Sequence, residues 1–432
     1  MLKSKLRIAQ NMNDNIQKST VKINKTNSTT KPSVQENVAY NVHVFYYAWY
    51  ANPEFDDRWL HWNHEYIENW NKQDPRTYPS GVHNPDKDDI GSNFFPELGC
   101  YSSADDNVIL NHMFQIRKSG AGVLVLSWYP PSTADEHGKP VDRLLPKLLD
   151  AANTYNLKIA LHVEPYHNRS AVTLRRDLEY VAKTYSSHPA FYKVKLPGRL
   201  KPVPMYYIYD SYLTSGNEWS RLFSRTGDLS IRGTDLDGIF LALLVEFKHR
   251  TDIKNGGFDG FYTYFAANGF SHGSSWKNWR NLNMFSKVLI YQIQNLVIIK
   301  FDHISFDFLI ITYNLFQRSS LLFVPSVGPG YIDTRVRAWN GQTTRHRRKG
   351  EYYKLAWRTA ISLLPKFVSV TSFNEWHEGT QIETAIPKII KDNDNVNYNY
   401  LSYEPDPPDA YLTLTRSLIS DFLQSKSVNE TI

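Results

Sequence analysis

Eight short β-prone apolar runs, each followed by a helix-forming stretch, constrain what this chain can fold into more than any other feature. The runs are Val42–Tyr50, Gly122–Tyr129, Lys158–Pro165, Val203–Asp210, Gly238–Val245, Gly257–Tyr264, Leu321–Gly328 and Phe367–Trp376. Helical patterning fills the intervals, notably Asp105–Ser119, Asp142–Tyr155, Thr173–Ser186, Ser274–Ser286 and Glu351–Leu363, with a last helix over about Ala410–Leu423. Eight β-then-α units in series predict an α/β fold, a (β/α)8 TIM barrel. An open doubly wound sheet is the competing architecture, but no Gly-rich fingerprint follows the first run. The expected layout is a polar, basic, disordered tail over 1–38, one catalytic barrel domain over 39–425, and a short C-terminal tail over 426–432.

In such a barrel the active site lies at the C-terminal ends of the strands. Polar and aromatic residues gather at those ends: Tyr46, Trp49 and Tyr50; Ser127, Trp128 and Tyr129; His162, Glu164 and Tyr166; Tyr209 and Asp210; Glu246; Tyr262 and Tyr264; Ser326; and Asn374, Glu375 and Trp376. The strand starts read Val, Ile, Leu and Phe instead. The first βα connection, 51–104, is far longer than the usual few residues and is a candidate substrate rim.

Glycosidic cleavage usually employs two carboxyl groups. The segment Asn374-Glu375-Trp376-His377-Glu378-Gly379 offers two at the tip of the eighth strand. A tight turn there would aim both at one cleft, and neighbouring carboxyls have their pKa values pushed apart, which suits one acid and one base. The plain alternative, a solvated surface turn, fits poorly with a barrel strand's end flanked by Trp and His. Glu164 is a further carboxyl, expected to bind a sugar hydroxyl or tune the acid; the competing reading is an ion pair with a barrel-top Arg. Asp210 and Glu246 have weaker cases.

His61 and His64 stand three apart, and His162 and His377 sit near strand ends. With no H-E-x-x-H motif and a single, isolated Cys100, a catalytic metal is not expected, and the histidines are assigned to sugar hydroxyls. Gly328-Pro329-Gly330 lacks the Lys and Gly spacing of a phosphate loop and reads as a turn.

The net charge is +6, but residues 1–37 hold seven Lys/Arg against two Asp/Glu, leaving about +1 for everything after. A near-neutral body carries no basic stripe, which argues against nucleic acid and for a neutral ligand. Aromatics make up 14% of residues, as expected of a sugar-binding protein or of a large aromatic core. One cysteine cannot place the chain in a redox compartment. Sequons at Asn24, Asn27, Asn168 and Asn429 weakly favour a luminal location.

Long motifs now carry a resemblance. Val42-His43-Val44-Phe45-Tyr46-Tyr47, His61-Trp62-Asn63-His64, Leu126-Ser127-Trp128-Tyr129-Pro130-Pro131, Phe258-Asp259-Gly260, Pro325 through Asp333, and Thr371 through Gln381 occur in the order found in glycoside hydrolase family 99. From about Tyr40 to Leu423 the chain resembles that family. The resemblance implies a retaining endo-α-1,2-mannosidase of the Golgi lumen that releases glucosylated mannose from immature high-mannose N-glycans, with no cofactor and no metal. It implies that Glu375 acts as base on the sugar's own 2-hydroxyl, giving a 1,2-anhydro sugar. Glu378 then serves first as acid and afterwards as base. Substrate contacts are expected from Tyr46, Tyr50, His61, Trp128, His162, Glu164, Tyr262, Tyr264, Asn374 and Trp376. The competing functions are a glycan-binding barrel without turnover and a related endo-α-mannanase.

Two departures from the family pattern stand out. Its animal members carry an N-terminal membrane anchor, and no apolar stretch of anchor length occurs in Met1–Glu36. Residues 288–318 form an atypical apolar and Asn-containing insertion between the sixth helix and the seventh strand, with neither a 3.6 nor a 2.0 period. It is expected to be translated intron or a gene-model error; a packed lineage-specific insertion is the alternative.

Overall fold

The computed structural model describes residues 37–131, 133–197, 199–287, 320–392 and 395–430. Residues 1–36 of the expected disordered tail and the whole of the 288–318 insertion lie outside these residues. Within the body Val38–Ile432, the parallel ladder comprises β1 (Ala39–Tyr46), β2 (Ala121–Trp128), β3 (Lys158–Val163), β4 (Val203–Ile208), β5 (Ile239–Leu243) and β6 (Gly260–Tyr262). It continues with β7 (Leu322–Val324, resuming as Ser326–Val327) and β8 (Val368–Val370). Each strand pairs with its successor, and β8 pairs back onto β1 with Val42 opposite Val368 and Val44 opposite Val370. Pro325 has no N–H to give the ladder. The ring closes around it, with Ser369 N–H donating to Pro325 O at 3.1 Å. This closure excludes the open doubly wound sheet.

The runs form strands because both faces are buried. Every residue of β2 is buried, as is every residue of β5, which is why they read as continuous apolar stretches rather than alternating ones. Gly260 is required where β6 and β7 approach, since a Cβ there would sit 2.4 Å from Leu322 O. Helix Asp106–Ser119 begins as its sequence predicts. Asp105 is the N-cap, its carboxylate accepting the Asn107 N–H, and Gly120 ends the helix at φ +85°. Helix Ala171–Thr184 opens on a capping box between Ser170 and Thr173. The last helix, Ala410–Glu430, runs past the expected Leu423 and takes in most of the presumed C-terminal tail. It packs against helix Asp106–Ser119, where Arg416 donates to Arg117 O and Lys118 O at 2.6 Å.

Inside the barrel, alternate residues of β1 mark successive layers. His43 bonds Tyr207 OH at 2.7 Å near the bottom. Phe45 packs on His162, Tyr207, Tyr262 and Tyr264 in the middle. Tyr47 reaches the top, where it bonds Tyr264 OH. The core is thus filled by aromatic rings and imidazoles, and it rises directly into the rim. The long connection 51–104 folds over that rim. It is stitched by the bridges Ala51–Leu60 and Glu65–Val82, and by pairing of Phe95–Pro96 with Ala385–Ile386.

Candidate active site

Beyond β8 the chain makes the tight turn that the carboxyl pair requires. Ser372 Oγ accepts the Glu375 N–H at 2.8 Å and meets Thr380 Oγ1 at 2.9 Å. Thr380 N–H returns to Glu375 O, and Gly379 N–H to Trp376 O. Gly379 adopts φ +59°, and a Cβ there would meet Ile332 within 2.7 Å, so glycine allows both the turn and its packing. The side chain of Asn374 locks the turn to β1: it accepts Tyr47 N–H and donates to Tyr47 O, both at 2.8 Å. Tyr50 OH donates to Asn374 O and accepts the Trp376 N–H.

This turn brings Glu375 and Glu378 together. Glu375 is buried, and its Oε2 accepts the backbone N–H of Glu378 at 2.6 Å. Glu378 is partly open to the cleft, yet its Oε2 is sealed from solvent and has no partner. Burial raises the Glu375 pKa well above the ordinary carboxyl value, and the charge of Glu378 raises it further; the Glu378 and His377 N–H groups and Arg337 oppose this. Burial also raises Glu378, to about 7, with Arg337 lowering it and Asp333 raising it. The two titrate as a coupled pair that retains a proton near neutrality. Arg337 is held by Asp333 at 3.2 Å, and Asp333 also accepts Tyr331 OH at 2.8 Å and an Asn340 N–H at 2.9 Å. Ile332 N–H donates to Glu378 O, which fixes the loop after β7 against the turn after β8.

Across the barrel top, Glu164 accepts Ser127 Oγ at 2.7 Å and lies 3.4 Å from His162 Nδ1. Burial pushes its pKa up to about 8, which favours its protonated form. The Arg pairing considered from sequence does not form. Arg169 spends its guanidinium on the carbonyls of Val163, Tyr209 and Asp210. His162 Nε2 bonds Tyr262 OH at 2.7 Å. Tyr264, at φ +48°, turns its hydroxyl to Tyr47. His61 stacks on Trp49 at 4.4 Å and bridges Asp135 and His377. The charges of Glu164 and Glu375 both reach Tyr47, and those of Glu375 and Glu378 reach Tyr264. Glu375, Glu378, Glu164, His162, Tyr262, Tyr264 and His61 therefore share one top-face region.

Five expected substrate contacts are placed elsewhere. Tyr46 alternates outward into the helix layer, where its hydroxyl meets His112 Nδ1 at 3.0 Å; Tyr47 holds the inward position. Trp128 likewise faces outward and donates to Asp142, while Ser127 faces in. Trp376 is fully buried behind the turn, donating to Glu383 at 3.0 Å. Asn374 spends its amide on Tyr47. Tyr50, fully buried, supports the turn in the same way. Sequence reasoning did not single out Tyr47, Tyr331, Asp333 or Arg337. Period-2 counting from Phe45 would have found Tyr47; the other three come from a separate loop. A cavity of about 210 Å³ behind the turn is lined by Tyr331, Arg347, Gly379 and Tyr403. Neither carboxyl of the pair lines it, so it is not the cleft.

A closed parallel barrel with two neighbouring carboxyls on the turn beyond its eighth strand is the architecture of a glycoside hydrolase of the (β/α)8 class. The chain belongs to glycosyl hydrolase family 99, whose sequence model matches residues 37–298 and 310–424. The break in that match falls within the 288–318 segment. The chain is 47% identical over 387 residues to the glycoprotein endo-alpha-1,2-mannosidase of Xenopus laevis, covering 90% of this chain and 78% of that one. It is 45% identical over 387 residues to the Mus musculus protein of the same name, covering 90% and 76%. Among solved structures it resembles the endo-alpha-mannosidase of Bacteroides thetaiotaomicron, at 36% identity and a TM-score of 0.74, covering 90% of this chain and all of the other.

Proposed function

We propose that this chain is a retaining endo-α-1,2-mannosidase that releases glucosylated mannose from immature high-mannose N-glycans in the Golgi lumen. The observation that carries the reading is the Glu375–Glu378 turn, buried and charge-coupled at the end of β8, in a chain of this family. In an α-mannoside the 2-hydroxyl is axial and trans to the leaving group, so that oxygen is placed for backside attack on C1. Glu375 takes its proton, the C2 oxygen closes on C1, and Glu378 protonates the departing oxygen. The product is a 1,2-anhydro sugar. Glu378, now ionised, removes a proton from water as that water attacks C1; the C1–O2 bond breaks, O2 recovers its proton from Glu375, and the second inversion gives net retention. Proximity of the 2-hydroxyl replaces an enzyme nucleophile.

The mechanism needs one proton on the pair, held by Glu378. Burial raises both carboxyls and the charge of Glu378 raises Glu375 further, so in the empty site the proton rests on Glu375 and substrate binding must move it to Glu378. Glu375 already accepts the Glu378 N–H, and the arriving 2-hydroxyl adds a second donor that draws the negative charge onto it. Trp49, whose Nε1 is buried without a partner, stacks with Tyr47 and His61 to form an aromatic wall suited to a sugar face. The test is to supply glucosylated oligomannose glycan and plain α-mannan side by side. Release of a glucosyl-mannose disaccharide from the first, in preference to cleavage of the second, is the expected result. Preference for mannan would replace the substrate assignment, and binding without products would replace the enzymatic one.

A further inference from the structure

Four histidines converge on the rim beside the carboxyl turn, and two of them are already committed. His377 uses Nδ1 on Gly91 O at 2.8 Å and Nε2 on His61, while His61 uses Nε2 on Asp135 at 3.0 Å. His64 and His137 differ. His64 is buried, and its Nδ1 lies 2.7 Å from Glu65 O. A carbonyl can only accept, so Nδ1 carries the proton and Nε2 presents a lone pair. The same arrangement, a backbone carbonyl fixing the tautomer, orients histidines that ligate metals. His137 Nε2 is buried with no hydrogen-bond partner. Its ring lies 5.0 Å from that of His64, and Glu136 Oε1 lies 3.7 Å from its Nε2.

We propose that His64, Glu136 and His137 form a binding site for one divalent zinc-class cation, which clips two rim loops together outside the catalytic pair. Ligand atoms of the three lie within 4.8 Å of one another. A tetrahedral site with bonds of about 2.1 Å needs edges of about 3.4 Å, so the widest pair must close by up to about 1.4 Å. Glu136 is exposed and free to swing inward. Two imidazoles, a carboxylate and one water complete a coordination that zinc accepts and that magnesium, an oxygen-seeking ion, does not. The loops are already in register. Asp135 Oδ1 accepts the N–H groups of His137 and Lys139 at 2.9 Å, Asp135 Oδ2 meets His61, and Lys139 Nζ reaches Asp56 Oδ1 at 2.5 Å. The cation therefore binds a largely preformed pair of histidines, one from the 51–104 connection and one from the loop after β2. The His64 ring touches that of His377 at 4.7 Å, so the clip braces the wall of the cleft while leaving Glu375 and Glu378 outside its coordination.

The test uses the full chain without an affinity tag, stripped with chelator. Titration with ZnCl2 is followed by calorimetry and by the thermal midpoint. One equivalent should bind, with a rise in Tm that MgCl2 does not reproduce. His137→Asn should weaken zinc binding by at least about tenfold and remove the Tm rise, with glycan hydrolysis in chelator unchanged. Glu136→Gln, at an exposed position that cannot upset folding, should weaken binding in the same direction. Zinc binding with equal affinity to wild type and both variants would overturn the proposal, as would the absence of any saturable binding to wild type.

Discussion

Glu164→Gln tests whether the buried carboxyl opposite the Glu375–Glu378 pair is held neutral. Glu164 is 6% exposed, and its pKa is raised from 4.5 to about 8, chiefly by burial. Between those values the native state keeps a proton that the unfolded chain has released. The folded protein must therefore lose stability as pH climbs through that window, and the loss is complete only above about pH 8. At about 1.4 kcal/mol per pH unit, the span caps the effect at about 5 kcal/mol. Glutamine keeps the acceptor for Ser127 Oγ and removes the titration. The variant should match wild type near pH 4.5 and outlast it increasingly towards pH 9. For a body of this size, about 1–2 °C of Tm per kcal/mol makes the gap at pH 9 up to roughly 5–10 °C. Thermal unfolding of both proteins at one scan rate from pH 4.5 to 9 measures it. A Tm difference that stays constant across that range would refute the reasoning, because Glu164 would then titrate alike in both states.

Four further outcomes are expected. Glu378→Gln should lose about 10²–10⁴-fold in activity on the natural glycan but keep much of its rate on an aryl or fluoride mannoside, whose leaving group needs no acid. Glu375→Gln should disable both substrates, and a 2-O-methyl mannoside should resist the wild type; its ready cleavage with retention would point to an enzyme nucleophile. Asn374→Ala removes both hydrogen bonds to the Tyr47 backbone and leaves buried partners unmet. It should cost about 2–4 kcal/mol in denaturant unfolding and lower kcat while both carboxyls remain. Removing residues 288–318 should give a chain more soluble and at least as active in expression and hydrolysis assays; a dominant mature transcript encoding the segment would sink its reading as intron.

The barrel and the carboxyl pair were legible for the same reason: each is a local pattern. Strands buried on both faces must be apolar throughout, so Gly122–Tyr129 and Gly238–Val245 announced themselves in order. Glu375 and Glu378 lie three residues apart on one turn, so no distant contact was needed to suspect them. The two-sided burial that made the strands visible also erased the alternation that says which side chain faces in. A shift of one residue exchanges the faces, and so Tyr46 and Trp128 were expected in the cleft where Tyr47 and Ser127 stand.

Sequence by itself thus determined the number and order of the β/α units, the strand end at which Glu375 and Glu378 gather, and the family. Tertiary structure alone decided the state of that chemistry. Arg337 and Asp333 set the charge around Glu378 from the loop after β7, some forty positions earlier in the chain. Asn374, Tyr50 and Trp376 proved to be the frame of the turn because β1 and the 51–104 connection fold against them. His64 and His137 meet only because two loops cross the rim. Desolvation and long-range charge depend on what surrounds a group in three dimensions. Neighbours in sequence fix the covalent path of the turn, but the pKa values of Glu164, Glu375 and Glu378 belong to the folded barrel.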